Sequence, residues 1–203
     1  MLDVIEEILN AKPPEILDTW FYPFTEEGME MYLLGVYTGS ITKDSLSVSY
    51  HETVGTTLER GMLIGLNPSG APINFTSPAY ELARKFRTNI YIFSAAKQYQ
   101  QVRTMSEFIE TKGVKSTFSE FKKLAGNVFT EYNKNYLKTE YNTAIGQSQM
   151  GREWIEIESH KELFPWITYR TQRDSRVRDE HAILDGVTRR VDDPFWNTFM
   201  PKN

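Results

Sequence analysis

Apolar positions recur at helical spacing over most of the chain. Leu2, Ile5, Ile8 and Leu9 predict a helix over residues 2–11 that Pro13-Pro14 stops. Trp20-Phe21-Tyr22-Pro23-Phe24 is dense in rings and interrupted by proline, which suits an anchored loop. Met29 to Tyr37 and Thr53 to Leu66 predict two more helices, the first closed by Thr38-Gly39-Ser40 and the second by Asn67-Pro68-Ser69-Gly70. Ser77-Pro78 opens a long helix, with the serine as cap and the proline in the first turn. Its stripe is Leu82, Phe86, Ile90, Phe93 and Ala96, and it is expected to run toward Thr111 before Lys112-Gly113 breaks it. Ser116-Thr117-Phe118-Ser119-Glu120 carries capping-box chemistry, with Ser116 and Ser119 as candidate caps. Asn133 to Ser159 predicts another long helix with Leu137, Tyr141, Ala144, Ser148, Gly151 and Ile155 on one face. The small residues there would admit a close neighbour.

The period changes after Leu163-Phe164-Pro165. Trp166 to Thr171 alternates as a strand, and Gln172-Arg173-Asp174-Ser175 is a polar turn. Val177 to Asp185 predicts a helix of two turns stopped at Gly186, and Val187 to Val191 a second short strand ended by Asp192-Asp193-Pro194. The tail Phe195 to Pro201 is aromatic and reads as irregular. The expected fold class is α+β and mainly helical: a long-helix body with a small C-terminal unit of short strands packed on a short helix. Three regions are expected: an acidic N-terminal helical region over 1–75, a long-helix region over 76–160 and the α+β unit over 161–203.

Composition narrows the function classes. The chain has 203 residues, 40% hydrophobic and 25% charged, which is globular rather than disordered. With no cysteine, disulfides, thiolate metal sites and a cysteine nucleophile are excluded within this chain. No run approaches the roughly 18 apolar residues of a membrane span, so no membrane partner is expected. The start, Met1 to Glu7, lacks the basic patch and apolar run of a signal peptide. The net charge of −4 divides unevenly: residues 1–75 carry 3 basic and 11 acidic side chains, and the remainder 20 basic and 16 acidic. Two differently solvated surfaces account for that. His51, His160 and His181 stand far apart, and only His181 has a ligand-type neighbour, Asp185, at helical spacing. Neither a metal site nor a Gly-rich phosphate loop nor a Gly-x-Ser-x-Gly elbow is found, and no cofactor is expected.

The densest chemistry lies between Tyr169 and Trp196. If Val177 to Asp185 is helical, Arg178, His181 and Asp185 share one face. Asp185 then sits at a helix C-terminus, where the macrodipole disfavours an anion, so it needs a partner. Arg178 and His181 are in reach along the helix, and Arg170, Arg189 or Arg190 on the flanking strands. One reading is a His181–Asp185 acid/base pair with Arg178 for phosphate. The other, which the absence of a nucleophile at fixed spacing favours, is a structural polar cluster of Arg176, Arg178, His181 and Asp185 that locks a small helix onto a small sheet.

These residues resemble the C-terminal domain of the phage Mu F-like head-morphogenesis family. There a Tyr-bearing strand leads into Arg-x-Arg-x-x-His-x-x-Leu-Asp-Gly and then Asp-Asp-Pro-Phe-Trp. Arg176, Arg178, His181, Leu184, Asp185 and Gly186 match in order, as do Asp193, Pro194, Phe195 and Trp196. Phe93 to Lys97 and Leu137 to Ala144 are similar to members from Bacteroidetes-type prophages. The resemblance covers residues 80–203 and is strongest over 169–196. Family members usually continue into Gly-Trp-x-Cys-x-Cys where this chain has Pro201-Lys202-Asn203, so the C-terminal unit is expected to be cut short.

The resemblance implies a phage minor head protein: a structural virion component, not an enzyme, associated with the portal, head assembly and DNA delivery. Its expected partners are portal and capsid proteins. Its expected location is the capsid interior or portal region of the virion, and the host bacterial cytoplasm during assembly. Trp20, Phe21 and Phe24, and Phe195 and Trp196, are the candidate docking residues, although ordinary core is the more frequent fate of such rings. Two alternatives remain at this point. One is a phage-delivered nuclease-like enzyme using His181. The other is a head protein that contacts packaged DNA non-specifically, through Lys112, Lys115, Lys122 and Lys123 or through the arginines between Arg170 and Arg190.

Overall fold

A computed structural model describes residues 23–67, 73, 75–76, 78–111 and 114–199. The expected helix at 2–11, Trp20, Phe21, Ser77, Lys112 and the tail from Met200 onward lie outside the described residues. The chain divides into two compact units, Met1–Ser148 and Gln149–Asn203.

The first unit is helical. Helix α1, Glu26–Thr38, begins where the Thr25 hydroxyl accepts the Gly28 amide, and two glutamates in its first turn suit the helix dipole. It ends at Gly39, whose φ of 81° places the chain in the left-handed region that glycine tolerates. Helix α2, Val48–Leu66, starts five residues before the expected Thr53, because Ser47 caps it by accepting the Tyr50 amide.

Helix α3 runs Pro78–Ser106 and stops short of the expected Thr111. A turn over 107–109 leads instead into a two-stranded ladder, β1 Glu110–Thr111 with β2 Val114–Lys115. The buried face of α3 also differs from the expected stripe. Ala83, Phe86, Ser94, Lys97, Gln98, Gln101, Val102 and Met105 are buried, while Phe93 is 42% exposed. Two successive steps of three, from Ile90 to Phe93 to Ala96, rotate roughly 120° off a 3.6-residue helix. Ser94 and Lys97 hold the true line, although neither is apolar.

Helix α4, Phe118–Thr130, has the expected capping box, but Thr117 is the cap, not Ser116 or Ser119. Thr117 donates its amide to Glu120 Oε2 at 2.8 Å. The chain then stays helical through a π-type turn, Glu131–Tyr136, into α5, Leu137–Ser159. The expected helix start at Asn133 is therefore the middle of a longer rod. Buried Asn133 accepts from the Tyr50 hydroxyl at 2.6 Å and donates to the Phe129 carbonyl at 2.9 Å.

Tyr32, Leu33 and Val36 of α1 pack with Val54 and Leu58 of α2, Val102 and Met105 of α3, Phe121 and Phe129 of α4, and Leu137. Residues from both sides of position 75 thus share one core. Polar bonds run through it. Ser94 Oγ donates to the His51 carbonyl at 2.9 Å, and Gln98, with its amide in the orientation that satisfies both atoms, donates to the Ser47 carbonyl and accepts the Ser47 amide. Lys97 Nζ reaches both Glu140 oxygens at 2.8 Å and lies 5.6 Å from the Tyr132 ring centre. Burial pushes the Lys97 ammonium down and the Glu140 carboxyl up, and the bond between them opposes both shifts.

The second unit holds the last turns of α5, then β3 Trp166–Thr168, α6 Asp179–Ala182, β4 Thr188–Arg190 and α7 Phe195–Phe199. Strands β3 and β4 are antiparallel, with Ile167 opposite Arg189. The two-turn helix expected over Val177 to Asp185 is a single turn, and the tail expected to be irregular forms α7, started by Asp193 accepting the Phe195 amide at 2.8 Å. Trp154, Val191 and Trp196 are the buried apolar side chains of this unit. The fold is mainly helical α+β, as the pattern implied.

Candidate functional site

The run from Tyr169 to Trp196 folds around the β3–β4 ladder. Arg178 is the residue before α6, with extended backbone at φ −69° and ψ 147°. It is not on the helix, and Asp185 lies past the helix end. The shared face expected for Arg178, His181 and Asp185 therefore does not form, because α6 is one turn long and spacing along a helix applies only within it.

Each member of the expected cluster has its own partner. Asp185 Oδ1 accepts the Thr171 amide at 2.9 Å, and Oδ2 meets Arg173 at 2.7 Å and Arg170 at 4.0 Å. The Thr171 amide, with Arg173 behind it, holds the Asp185 carboxyl below the usual carboxylate range. His181 Nδ1 shares a 2.8 Å hydrogen bond with the Tyr169 hydroxyl, and the two rings stack 6.4 Å apart. Arg176 binds Asp174 at 2.9 Å and Arg178 reaches Glu180 at 3.7 Å. The His181–Asp185 acid/base pair is not assembled. Gly186, at φ 88°, donates its amide to the Tyr169 carbonyl at 2.9 Å, tying the end of the α6 turn to the end of β3. Tyr169, Thr171 and Asp185 thus form a lock across the loop between the strands.

Arg170, Arg173, Arg176, Arg178 and Arg190 each meet a carboxylate. Arg190 pairs with Asp192 at 3.0 Å, which keeps the Asp192 carboxyl below its ordinary range. Residues 170–190 hold 6 arginines and 4 acidic side chains, while residues 149–203 as a whole hold 9 basic and 10 acidic ones, so the positive excess is small and local. Of the lysine group, Lys122 pairs with Glu30 at 2.6 Å and Lys115 lies over the Tyr37 ring. Among the described residues no group of three or more His, Asp or Glu could hold a metal ion, and no helix is long and apolar enough to cross a membrane.

Of the aromatic docking candidates, Phe24, Phe195 and Trp196 are among the described residues, and each packs against neighbouring rings. Phe24 stacks on Tyr50 at 5.4 Å and meets the edge of Phe129 at 5.3 Å. Trp196 is 1% exposed, packs 6.3 Å from Trp154 and donates Nε1 to the Arg190 carbonyl at 2.6 Å. Phe195 meets it edge-on at 4.9 Å. The exposed large apolar side chains described in this unit are Leu163, Phe164, Trp166, Ile183 and, at the end of α7, Phe199. The alternation from Trp166 onward marked a strand but did not tell which of its side chains stay uncovered. Arg173, the main ion partner of Asp185, was missed because it sits in a turn, at φ 56°, where no periodicity points to it.

Compared with known proteins, residues 96–203 match the family described as phage Mu protein F like protein. No curated protein and no solved structure matches the chain. The match takes in α3 from Ala96 onward, all of α4 and α5, and the whole of the locked β3–β4 unit. That is over half the sequence, and the chain belongs to the phage Mu protein F like family.

Proposed function

We propose that this protein is a phage minor head protein, a structural component carried in the virion at the portal region of the capsid interior. It takes part in head assembly and accompanies DNA delivery, with portal and capsid proteins as its partners. The observation that carries the reading is the family match over residues 96–203. The local chemistry supports it, since the matched motif spends its polar residues on holding a loop closed. His181 bonds the Tyr169 hydroxyl rather than the Asp185 carboxylate that the acid/base reading paired it with.

The test is assembly with the products of the neighbouring head genes. Heads built with this chain present are purified, and its co-sedimentation with the portal is measured by mass spectrometry. The chain is expected in the head fraction at a fixed ratio to portal. Its absence from heads that package DNA normally would sink the reading. Labelled RNA and DNA incubated with the protein should stay intact, and cleavage that disappears in His181→Ala would restore the enzymatic reading.

A further inference from the structure

We propose that the outer edge of β3 is a self-association edge, at which two copies of this chain pair β3 against β3 antiparallel about Ile167. The two-stranded sheets of two copies then become one four-stranded sheet.

The argument starts from the ladder. Tyr169 donates its amide to the Val187 carbonyl and Val191 donates to the Pro165 carbonyl. Hydrogen-bonded pairs in an antiparallel ladder recur every second residue, so Ile167 faces Arg189 in the same way. The amides and carbonyls of Trp166 and Thr168 therefore point away from β4. Among the described residues nothing pairs with them, because the sheet has two strands. The matching outer edge of β4 is partly covered, since Trp196 donates to the Arg190 carbonyl. Among the described residues the β3 edge is open.

The edge is also flanked by apolar surface. Leu163, Phe164 and Trp166 are 75%, 69% and 59% exposed. Successive side chains on a strand alternate, so Trp166, Thr168 and Arg170 share one face. An open edge beside apolar side chains is a template for another strand.

The occupant is a second copy because the edge complements itself. Antiparallel pairing centred on Ile167 sets Trp166 against Thr168 of the second copy, and Thr168 against its Trp166. The outward amides and carbonyls of both copies then pair with none left over. Extending that register puts Phe164 opposite Arg170 of the second copy, twice by symmetry. Arg170 is 60% exposed and reaches Asp185 only at 4.0 Å, behind Arg173, so its guanidinium is available to an aromatic face. The near balance of basic and acidic side chains in residues 149–203 adds no strong repulsion between copies. An isologous contact of this kind closes on itself as a dimer.

The experiment is sedimentation equilibrium of the full chain over a concentration series, with backbone amide exchange on the same samples. Wild type is expected to pass from single to double mass, with the Trp166 and Thr168 amides gaining protection as the dimer forms. Thr168→Pro removes an outward amide and spares the backbone bonds to β4, since proline is tolerated on an edge whose N–H faces out; it also loses the 2.8 Å side-chain bond to Thr188, which Thr168→Val loses too. It should weaken dimerisation at least about tenfold, as expected for one lost bond per copy. Thr168→Val should dimerise as wild type does. Slow exchange at Tyr169 and Val191 shows that the hairpin survives each change. Where Thr168→Pro loses that protection, Trp166→Glu replaces it, with the same expected loss. Wild type that keeps a single mass at every concentration overturns the proposal. So does a dimer in which the Trp166 and Thr168 amides stay unprotected, or a folded Thr168→Pro that pairs as tightly as wild type.

Discussion

The Thr171 amide and the Asp185 carboxylate meet at 2.9 Å across fourteen residues, and this bond fixes the loop that joins β3 to β4. Arg173 binds the other oxygen from within the same loop. Asp185→Ala leaves the Thr171 amide and the Arg173 guanidinium without their acceptor. Exchange at the Thr171 and Gly186 amides should then speed up, while the Val102 and Met105 amides of α3 keep the wild-type rate. Asp185→Asn keeps an acceptor for Thr171 but loses the charge facing Arg173, so it should fall between the two. Unchanged exchange in Asp185→Ala would mean the loop is held by other contacts.

The same lock has a pH dependence. Asp185 and Asp192 both have carboxyls held below the ordinary value of 3.8, Asp185 first by the Thr171 amide and Asp192 first by Arg190. A depressed folded value means the ionised form favours the folded state. That contribution is complete above pH 3.8 and is lost as pH falls from there through the depressed values. The β3–β4 hairpin should therefore loosen in acid below about pH 4. In Asp185→Asn the dependence should shrink to the part owed to Asp192. Exchange at the Tyr169 amide, followed from pH 6 to pH 3 after correction for intrinsic rates, measures it. A flat profile in wild type would contradict the shift.

How much of this was legible in the sequence depends on what each residue's conformation answers to. Some local chemistry was readable: Gly39 and Gly186 stand at element ends with positive φ, and a capping box was expected at Glu120, although the cap is Thr117 rather than Ser116 or Ser119. The mainly helical class and the short strand pair followed from period alone. The α3 face was misread because half of it is polar, and Ser94, Lys97 and Gln98 are buried for partners that lie 40 or more residues away, such as His51 and Glu140. The site was misread for a related reason. Spacing of three and four residues places side chains on one face only when the helix lasts, and α6 lasts one turn. The pairing of the motif's residues is set by the β3–β4 register.

Lys97 and Glu140 allow a sharper test of the polar core. The Lys97 side chain is 3% exposed and that of Glu140 is 23%. Removing one partner strands a buried charge. Lys97→Met alone should destabilise the first unit by about 3 kcal/mol, the low end for a broken buried pair because Glu140 keeps some solvent. The double variant Lys97→Met/Glu140→Leu removes both desolvation costs and should be neutral to about 2 kcal/mol more stable than wild type. Urea unfolding of the single and double variants gives the comparison. A double variant as unstable as the single one would show that the pair contributes net stability.

The approach of α2 to α5 is limited by Gly61. A Cβ built there would lie 2.9 Å from the Tyr141 carbonyl oxygen and 3.0 Å from its ring, and a carbonyl in a helix cannot move aside cheaply. Gly126, on α4, is the control, since its Cβ would meet only Leu33 Cδ1 at 4.0 Å, an ordinary contact. Alanine has the higher helix propensity at both sites, so propensity alone predicts that both substitutions stabilise. Packing reverses the sign at one of them. Gly61→Ala should destabilise the helical unit by about 1–3 kcal/mol, as overpacking does. Gly126→Ala should stabilise it by about 0.5–1 kcal/mol. Thermal and urea unfolding of the two variants decide the matter. Should Gly61→Ala prove as stable as Gly126→Ala, α2 and α5 can separate without cost, and the close contact at Tyr141 does not position them.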